Sequence, residues 1–247
     1  MPLDLSTLRA RQAADLNAAH AGSDAETVLR AALAEGDVAL TSSFGADSVV
    51  LLHMLSRVAP ATPVLFLETG MLFPETLAYQ RGVAERLGLA DVRTVRPDPE
   101  DLFLHDPEGD LHGRDPDLCC TLRKVRPLER ALAGFDGWIT GRKRVQGGAR
   151  ADLPVFEAEG QHLKVNPLAT WSGADLAAYM DAHDLPRHPL VERGYPSIGC
   201  APCTAKVAPG EDPRAGRWRG REKTECGIHF AGGVAVRPDG TIANGGR

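Results

Sequence analysis

The chain has 247 residues, 43% of them hydrophobic and 25% charged, with a formal net charge of −5. That composition buries a core and excludes a wholly disordered chain, and the net acidity argues against a surface that grips nucleic acid throughout. The longest apolar stretches, Val49 to Met54 and Val64 to Leu67, fall far short of the roughly 20 residues that span a bilayer. Neither nucleic acid nor a membrane is expected as a partner. The amino terminus, MPLDLSTLRARQAADLN, mixes both charges and lacks the apolar core of a secretory signal, so a cytoplasmic location is expected.

Residues 1–35 read as two helices, the second with Ser23 as cap, Glu26 completing a capping box and Gly36 ending it. Asp37 opens a short β-type run, DVALTSS, followed by a polar loop and a helix whose Val49, Leu52 and Leu55 form one stripe. A second unit has PVLFLETG as strand and Glu75 to Leu87 as helix, and a third has DVRTVRP as strand. After residue 100 the pattern loosens. The run DLCCTLRKVRPLERALAGF reads as helix, Trp138 to Thr140 as a strand, and LKVNPL as a fifth strand; Ser172, with Asp175 three residues on, opens a last helix. Strands separated by helices predict an α/β fold, a parallel sheet with helices on both faces. Residues 207–247 hold 12 Gly plus Pro, against 32 in the preceding 206. The expected division is therefore a sheet domain over 1–206 and a mobile tail over 207–247.

Charge is uneven along the chain. Residues 121–150 carry eight basic and two acidic side chains, a +6 island that leaves −11 for the rest. A small polyanion is the ligand such an island suits; a solvated helix face is the plainer alternative. Between the first strand and its helix lies Ser42-Ser43-Phe44-Gly45-Ala46-Asp47-Ser48. Its N–H groups, hydroxyls and helix amino end suit an anion, while the lack of Lys separates it from a Walker-type loop.

Five cysteines stand at 119, 120, 200, 203 and 226. A split into four ligands and one free thiol uses them all. The Cys200–Cys203 spacing is that of a metal knuckle, and Cys119 with Cys120 could complete four thiolates. Buried apolar cysteines and a zinc site remain open, but adjacent cysteines fit the separated irons of an iron–sulfur cube better than one tetrahedral zinc. Cys226 sits in Glu225-Cys226-Gly227-Ile228-His229, behind Arg214, Arg217, Arg219, Arg221 and Lys223. Cations and a histidine lower a thiol pKa and favour a nucleophile, though a stray tail cysteine would look the same.

An ordered series of motifs from about residue 38 to 230 then carries a resemblance. It comprises Ser43-Phe44-Gly45-Ala46-Asp47-Ser48, Glu68-Thr69-Gly70 with Leu72-Phe73-Pro74-Glu75-Thr76, Cys119-Cys120 with Arg123-Lys124-Val125, and Thr140-Gly141 with Gln146. It continues through Tyr195-Pro196-Ser197-Ile198-Gly199-Cys200, Pro202-Cys203-Thr204, Arg214-Ala215-Gly216-Arg217-Trp218 and Glu225-Cys226-Gly227-Ile228-His229. Together they resemble the assimilatory adenylyl-sulfate reductases of the sulfonucleotide (PAPS) reductase family.

The resemblance implies an adenine nucleotide alpha hydrolase-like (PP-loop type) fold and reduction of adenosine 5′-phosphosulfate to sulfite and AMP, with thioredoxin as partner, in cysteine biosynthesis. It implies a [4Fe-4S] cluster on Cys119, Cys120, Cys200 and Cys203, since the branch acting on the 3′-phosphorylated substrate typically lacks these four. Cys226 is the implied nucleophile, forming an S-sulfocysteine. Ser42, Ser43, Phe44, Gly45, Asp47, Ser48, Leu67 and Gly141 are implied in nucleotide binding, and Lys124, Arg150, Arg214, Arg217 and His229 in facing the phosphosulfate. Glu68 departs from the family's usual Asp, and the loop Arg142-Lys143-Arg144-Val145-Gln146 lacks the commoner acid before Gln. Three other readings stay in view: a reductase of the 3′-phosphorylated substrate, a tRNA-thiolating enzyme of the same fold, and a zinc-stabilised binding module. A homo-oligomer stays open.

Overall fold

The strands are set by alternation. Val38 to Ser42 (β1), Val64 to Leu67 (β2), Val92 to Val95 (β3), Gly137 to Ile139 (β4), Phe156 to Glu159 (β5) and His162 to Val165 (β6) form one sheet, ordered β3-β2-β1-β4-β6-β5. The computed structural model that shows this describes residues 4–221 together with Lys223, Glu225 and Gly227. Val38, Leu40, Val64, Phe66 and Ile139 enter one core, while Ala39, Leu65, Leu67 and Trp138 enter another. Both faces are therefore apolar, as a covered parallel sheet requires.

The helices are α1 (Leu5–Ala19), α2 (Ala25–Ala34), α3 (Ser48–Val58), α4 (Pro74–Leu87), α5 (Pro99–His105), α6 (Leu111–Arg114), α7 (Pro116–Cys120), α8 (Arg126–Leu132) and α9 (Gly173–Ala182). Val28 and Leu29 of α2, the Val49 to Leu55 stripe of α3, Val83 of α4 and Leu176 of α9 pack on the first face. Leu128 and Leu132 of α8 cover the second. No helix among the described residues is long and apolar enough to cross a membrane.

Several local readings shift. Asp24, not Ser23, caps α2, accepting from the Thr27 N–H at 2.8 Å, because a carboxylate both caps the end and meets the helix dipole. Ser172 does cap α9, with Asp175 completing a capping box. The helix expected across the first cysteine pair is broken into α7, a π-turn over Thr121–Val125 and α8. Pro127 lacks an N–H and its ring would strike the Arg123 carbonyl in a regular α-helix, so the turn widens. β5 was not expected. It pairs antiparallel with β6 at the sheet edge, and α1 holds it through reciprocal bonds between the Asn17 amide and the Phe156 backbone, at 2.8 and 3.0 Å.

β1 has β2 on one side and β4 on the other. The chain winds outward through β2 and β3 in one direction and through β4 and β6 in the other. At such a switch point a crevice opens beyond the carboxyl ends of the strands. The loops after β1, β2 and β4 meet there.

Away from the crevice, His188 is fully buried, with its Nε2 3.1 Å from the Thr76 hydroxyl and its Nδ1 accepting the Leu190 N–H. Burial pushes its pKa down to about 4, against a partial counter-effect from Glu75. The unfolded chain, with an ordinary histidine, binds more protons between about pH 6.5 and 4, so stability falls as pH drops through that window. His188→Asn should flatten this dependence, which amounts to about 3 kcal/mol over the whole window and about 2 kcal/mol between pH 7 and pH 5. Denaturant midpoints of both proteins at pH 7 and pH 5 measure it, and parallel midpoints would refute it.

Candidate active site

A cavity of about 470 Å³ occupies the crevice. Ser42, Ser43, Gly45, Asp47 and Ser48 line it from the loop between β1 and α3, and Leu67 from the end of β2. Gly141 follows β4, and Lys124, Arg150, Arg214 and Arg217 supply the cationic wall. The α3 amino terminus at Ser48 borders the same space, a setting that favours an anion. Phe44 stands apart from these. Its ring is fully buried against Phe66, edge-on with centroids 5.3 Å apart. Its φ is +48°, and its N–H donates to the Ser42 hydroxyl at 3.0 Å. A left-handed phenylalanine costs on the order of 1–3 kcal/mol and is held only where packing over-determines it.

The three consecutive cations after Gly141 take three directions. Arg142 borders the cavity but is tied back, paired with Glu157 and donating to the Asn166 side-chain oxygen at 3.2 Å. Arg144 donates to the Leu153 carbonyl at 2.8 Å, outward from the crevice. Lys143 enters the cavity wall, 3.1 Å from an Asp47 oxygen and 3.1 Å from the Gly141 carbonyl. Burial lowers its pKa, while Asp47 works in the opposite sense. Spacing alone could not rank these side chains, because Lys143 is extended and only Arg144 lies in the 3₁₀ turn Arg144–Gln146, so no single periodicity relates the three.

Arg217 reaches its place through a gap that only glycine leaves: a Cβ on Gly199 would lie 2.3 Å from Nη2. Its guanidinium stacks 4.6 Å from the Trp218 ring centre. Of the other basic residues before Cys226, Arg219 pairs with Glu211 at 2.8 Å, Arg221 donates to the His112 carbonyl, and Lys223 pairs with Asp117. The cationic wall thus draws on Arg214 and Arg217 rather than on the whole run. Residues just past 206 stay close to the sheet domain, with the Ala205 N–H donating to Gly216 at 2.8 Å and Trp218 buried.

Beside the main cavity lies a much smaller one lined by Cys119, Cys120, Cys200 and Cys203 together with Arg123, Lys124 and Trp218. The end of α7 brings in the first pair. The second is held by a bridge from Cys200 to Leu72 and by the Ala201 N–H donating to Met71 at 2.7 Å. All four thiols are buried. Burial pushes Cys119 up to about 11 and raises Cys203. Cys200 goes the other way: burial opposes ionisation, but Lys124, the Thr69 hydroxyl at 3.3 Å and Arg217 outweigh it. Among the described residues no three His, Cys, Asp or Glu side chains are arranged to hold a single metal ion. Buried N–H groups of Arg123 (Nε) and Trp218 (Nε1) on this cavity have no partner among the described residues. Lys124 lines both cavities. Cys226 and His229 lie outside the described residues.

Glu225 was legible only as part of its motif. In the structure its carboxylate takes both Nε and Nη2 of Arg150, each at 2.6 Å.

Comparison with known proteins agrees with this layout. The phosphoadenosine phosphosulfate reductase domain model matches residues 37–206. An adenosine 5′-phosphosulfate reductase of Chelativorans sp. (strain BNC1) is 52% identical over 90% of this chain and 92% of its own length. One from Rhodococcus opacus (strain B4) is 42% identical over 92% and 95%. A phosphoadenosine 5′-phosphosulfate reductase of Gloeobacter violaceus is 47% identical over 77% and 81%. Among solved structures, the phosphoadenylyl-sulfate reductase of Candida auris, a phosphate complex, superposes with a TM-score of 0.66 at 29% identity, covering 79% of this chain and 96% of that one. The FMN adenylyltransferase of Candida glabrata, at 14% identity and a TM-score of 0.54 over 86% of this chain and 72% of that one, shares the fold alone. With the matched domain running from the start of β1 to just past the second cysteine pair, the chain belongs to the phosphoadenosine phosphosulfate reductase family, whose reaction is reduction of a sulfonucleotide at sulfur.

Proposed function

We propose that this chain reduces adenosine 5′-phosphosulfate to sulfite and AMP in the cytoplasm, with thioredoxin as the reductant. The observation that carries the reading is Lys124, a cation shared by an anion-suited cavity and a four-thiol cavity. The loop from Ser42 to Ser48, with Leu67 and Gly141, holds the nucleotide. Lys124, Lys143, Arg150, Arg214 and Arg217, joined by His229, face the phosphosulfate.

The Cys226 thiolate attacks the sulfur, the bond from sulfur to the phosphate oxygen breaks, and AMP leaves with that electron pair. The cations offset repulsion between two anions and stabilise charge on the leaving oxygen, an effect commonly worth a few kcal/mol per well-placed donor. A thioredoxin thiolate then attacks Cys226 Sγ and expels sulfite, and the second thioredoxin thiol resolves the mixed disulfide. The residues from 207 onward form the unit that brings Cys226 to the sheet domain.

Cys119, Cys120, Cys200 and Cys203 would hold a [4Fe-4S] cluster. Four thiols around one cavity, two of them adjacent in sequence, suit a cube, whose irons are spread apart, better than zinc, and the buried Arg123 Nε and Trp218 Nε1 N–H groups, without a partner among the described residues, suit its sulfurs. Bound there, a cluster would supply a charged, polarisable neighbour to Lys124. By the resemblance, in which the branch acting on the 3′-phosphorylated substrate typically lacks these cysteines, the four favour the substrate without a 3′-phosphate.

Lys124→Ala should lower turnover about 10²-fold or more while iron per chain stays unchanged. Full activity would remove the electrostatic role of Lys124. The reaction itself is tested by steady-state sulfite release from each of the two sulfonucleotides, and preference for the 3′-phosphorylated one would overturn the substrate assignment.

A further inference from the structure

Cys226 must be held at one place for attack, and nothing in its own side chain can do that. The residue before it can. Glu225 is buried, with 8% of its side chain exposed, and its carboxylate spans the Nε and Nη2 edge of Arg150 at 2.6 Å on each arm. Arg214 Nη2 lies 3.5 Å from the same Oε1. Arg150 is fixed in turn, its Nη1 donating to the Gln146 side-chain oxygen. A paired fork of this kind is the most directional ion pair available to a protein.

Arg150, Arg214 and Gln146 belong to the cavity wall, and Glu225 does not. The carboxylate is therefore bonded to the cationic wall without itself lining the cavity.

We infer that Glu225 is a positioning residue, whose ion pair with Arg150 and Arg214 holds the adjoining Cys226 at the phosphosulfate site. The inference rests on the proposed reaction. It assigns to Arg150 a second task beyond charge: the anchor for the nucleophile's own stretch of chain. Glu225→Gln keeps the shape but loses the charge, and a neutral amide accepts from only one arm of the fork.

The test compares wild type with Glu225→Gln and with Glu225→Asp, which keeps the charge on a shorter stem. For the Gln variant kcat should fall about tenfold or more, with KM for adenosine 5′-phosphosulfate within about twofold of wild type. The Asp variant should fall between, and it carries the test if the Gln variant fails to fold by circular dichroism. A second readout needs no substrate: alkylation of Cys226 by iodoacetamide, followed on its peptide by mass spectrometry, should be several-fold faster in the Gln variant.

Unchanged kcat with unchanged alkylation overturns the inference. So does a lower KM at full kcat, which would make Glu225 a competitor of the substrate. If wild type fails to turn the nucleotide over while alkylation still responds to the substitution, the reaction is wrong and the positioning role stands.

Discussion

Cys226→Ser should release no measurable sulfite from adenosine 5′-phosphosulfate, a loss of about 10⁴-fold or more. A cysteine of ordinary pKa is a few per cent thiolate at neutral pH, and neighbouring cations raise that share. A serine hydroxyl ionises negligibly there, so the variant lacks the anion that attacks sulfur. The deficit is thus one of nucleophile, not of binding, and KM-type measures such as AMP affinity should be preserved. Incubation of wild type with labelled substrate and no thioredoxin should leave label on the Cys226 peptide, and the Ser variant should carry none. Sulfite release by the Ser variant at the normal rate would refute the S-sulfocysteine route outright.

The comparison of sequence with structure divides along physical lines. Strand, loop and helix alternation up to β3 is legible because each element is set by local periodicity: Val38 and Leu40 against Ala39, or Val49, Leu52 and Leu55 along α3. β5 is not legible, because Phe156-Glu157-Ala158-Glu159 is a short acidic run at an edge, and its partners β6 and Asn17 are set by tertiary pairing. The break at Thr121–Val125 follows from Pro127, whose effect on the preceding turn is readable in principle.

At the site, motif order pointed to residues that converge on the cavity, since loops after parallel strands meet at one end of the sheet. Phe44 shows the limit. It lies inside the motif, yet its side chain serves the core and its unusual φ shapes the loop. Arg142, Lys143 and Arg144 show another, because how each cation is tied depends on where Glu157, Asp47 and Leu153 lie. Glu225 depends on Arg150, 75 residues away in the chain.

Asp106→Asn should destabilise the protein by about 3–5 kcal/mol and loosen the cysteine cavity at the same time. Asp106 and Arg123 form a pair at 2.5 Å, with side-chain exposures of 0% and 7%. The second Asp106 oxygen accepts the Leu111 N–H at 2.8 Å, and Arg123 Nη1 donates to the Thr69 carbonyl at 2.9 Å. Burial resists ionisation of Asp106, but the Arg123 and Leu111 bonds outweigh it and hold the carboxyl below its ordinary range. Its contribution is therefore complete above the ordinary carboxylate pKa and is lost as pH falls through the lowered one. An amide in its place leaves the Arg123 charge buried without a counter-charge, and this is the costly half of breaking such a pair. The same guanidinium lines the four-thiol cavity, and the loop it steadies carries the Thr69 hydroxyl that meets Cys200. The Asn variant should melt about 10 °C lower, and anaerobically purified protein should retain less iron per chain than wild type. A melting temperature within about a degree of wild type, with full iron content, would show that neither the pair nor its link to the cysteines matters.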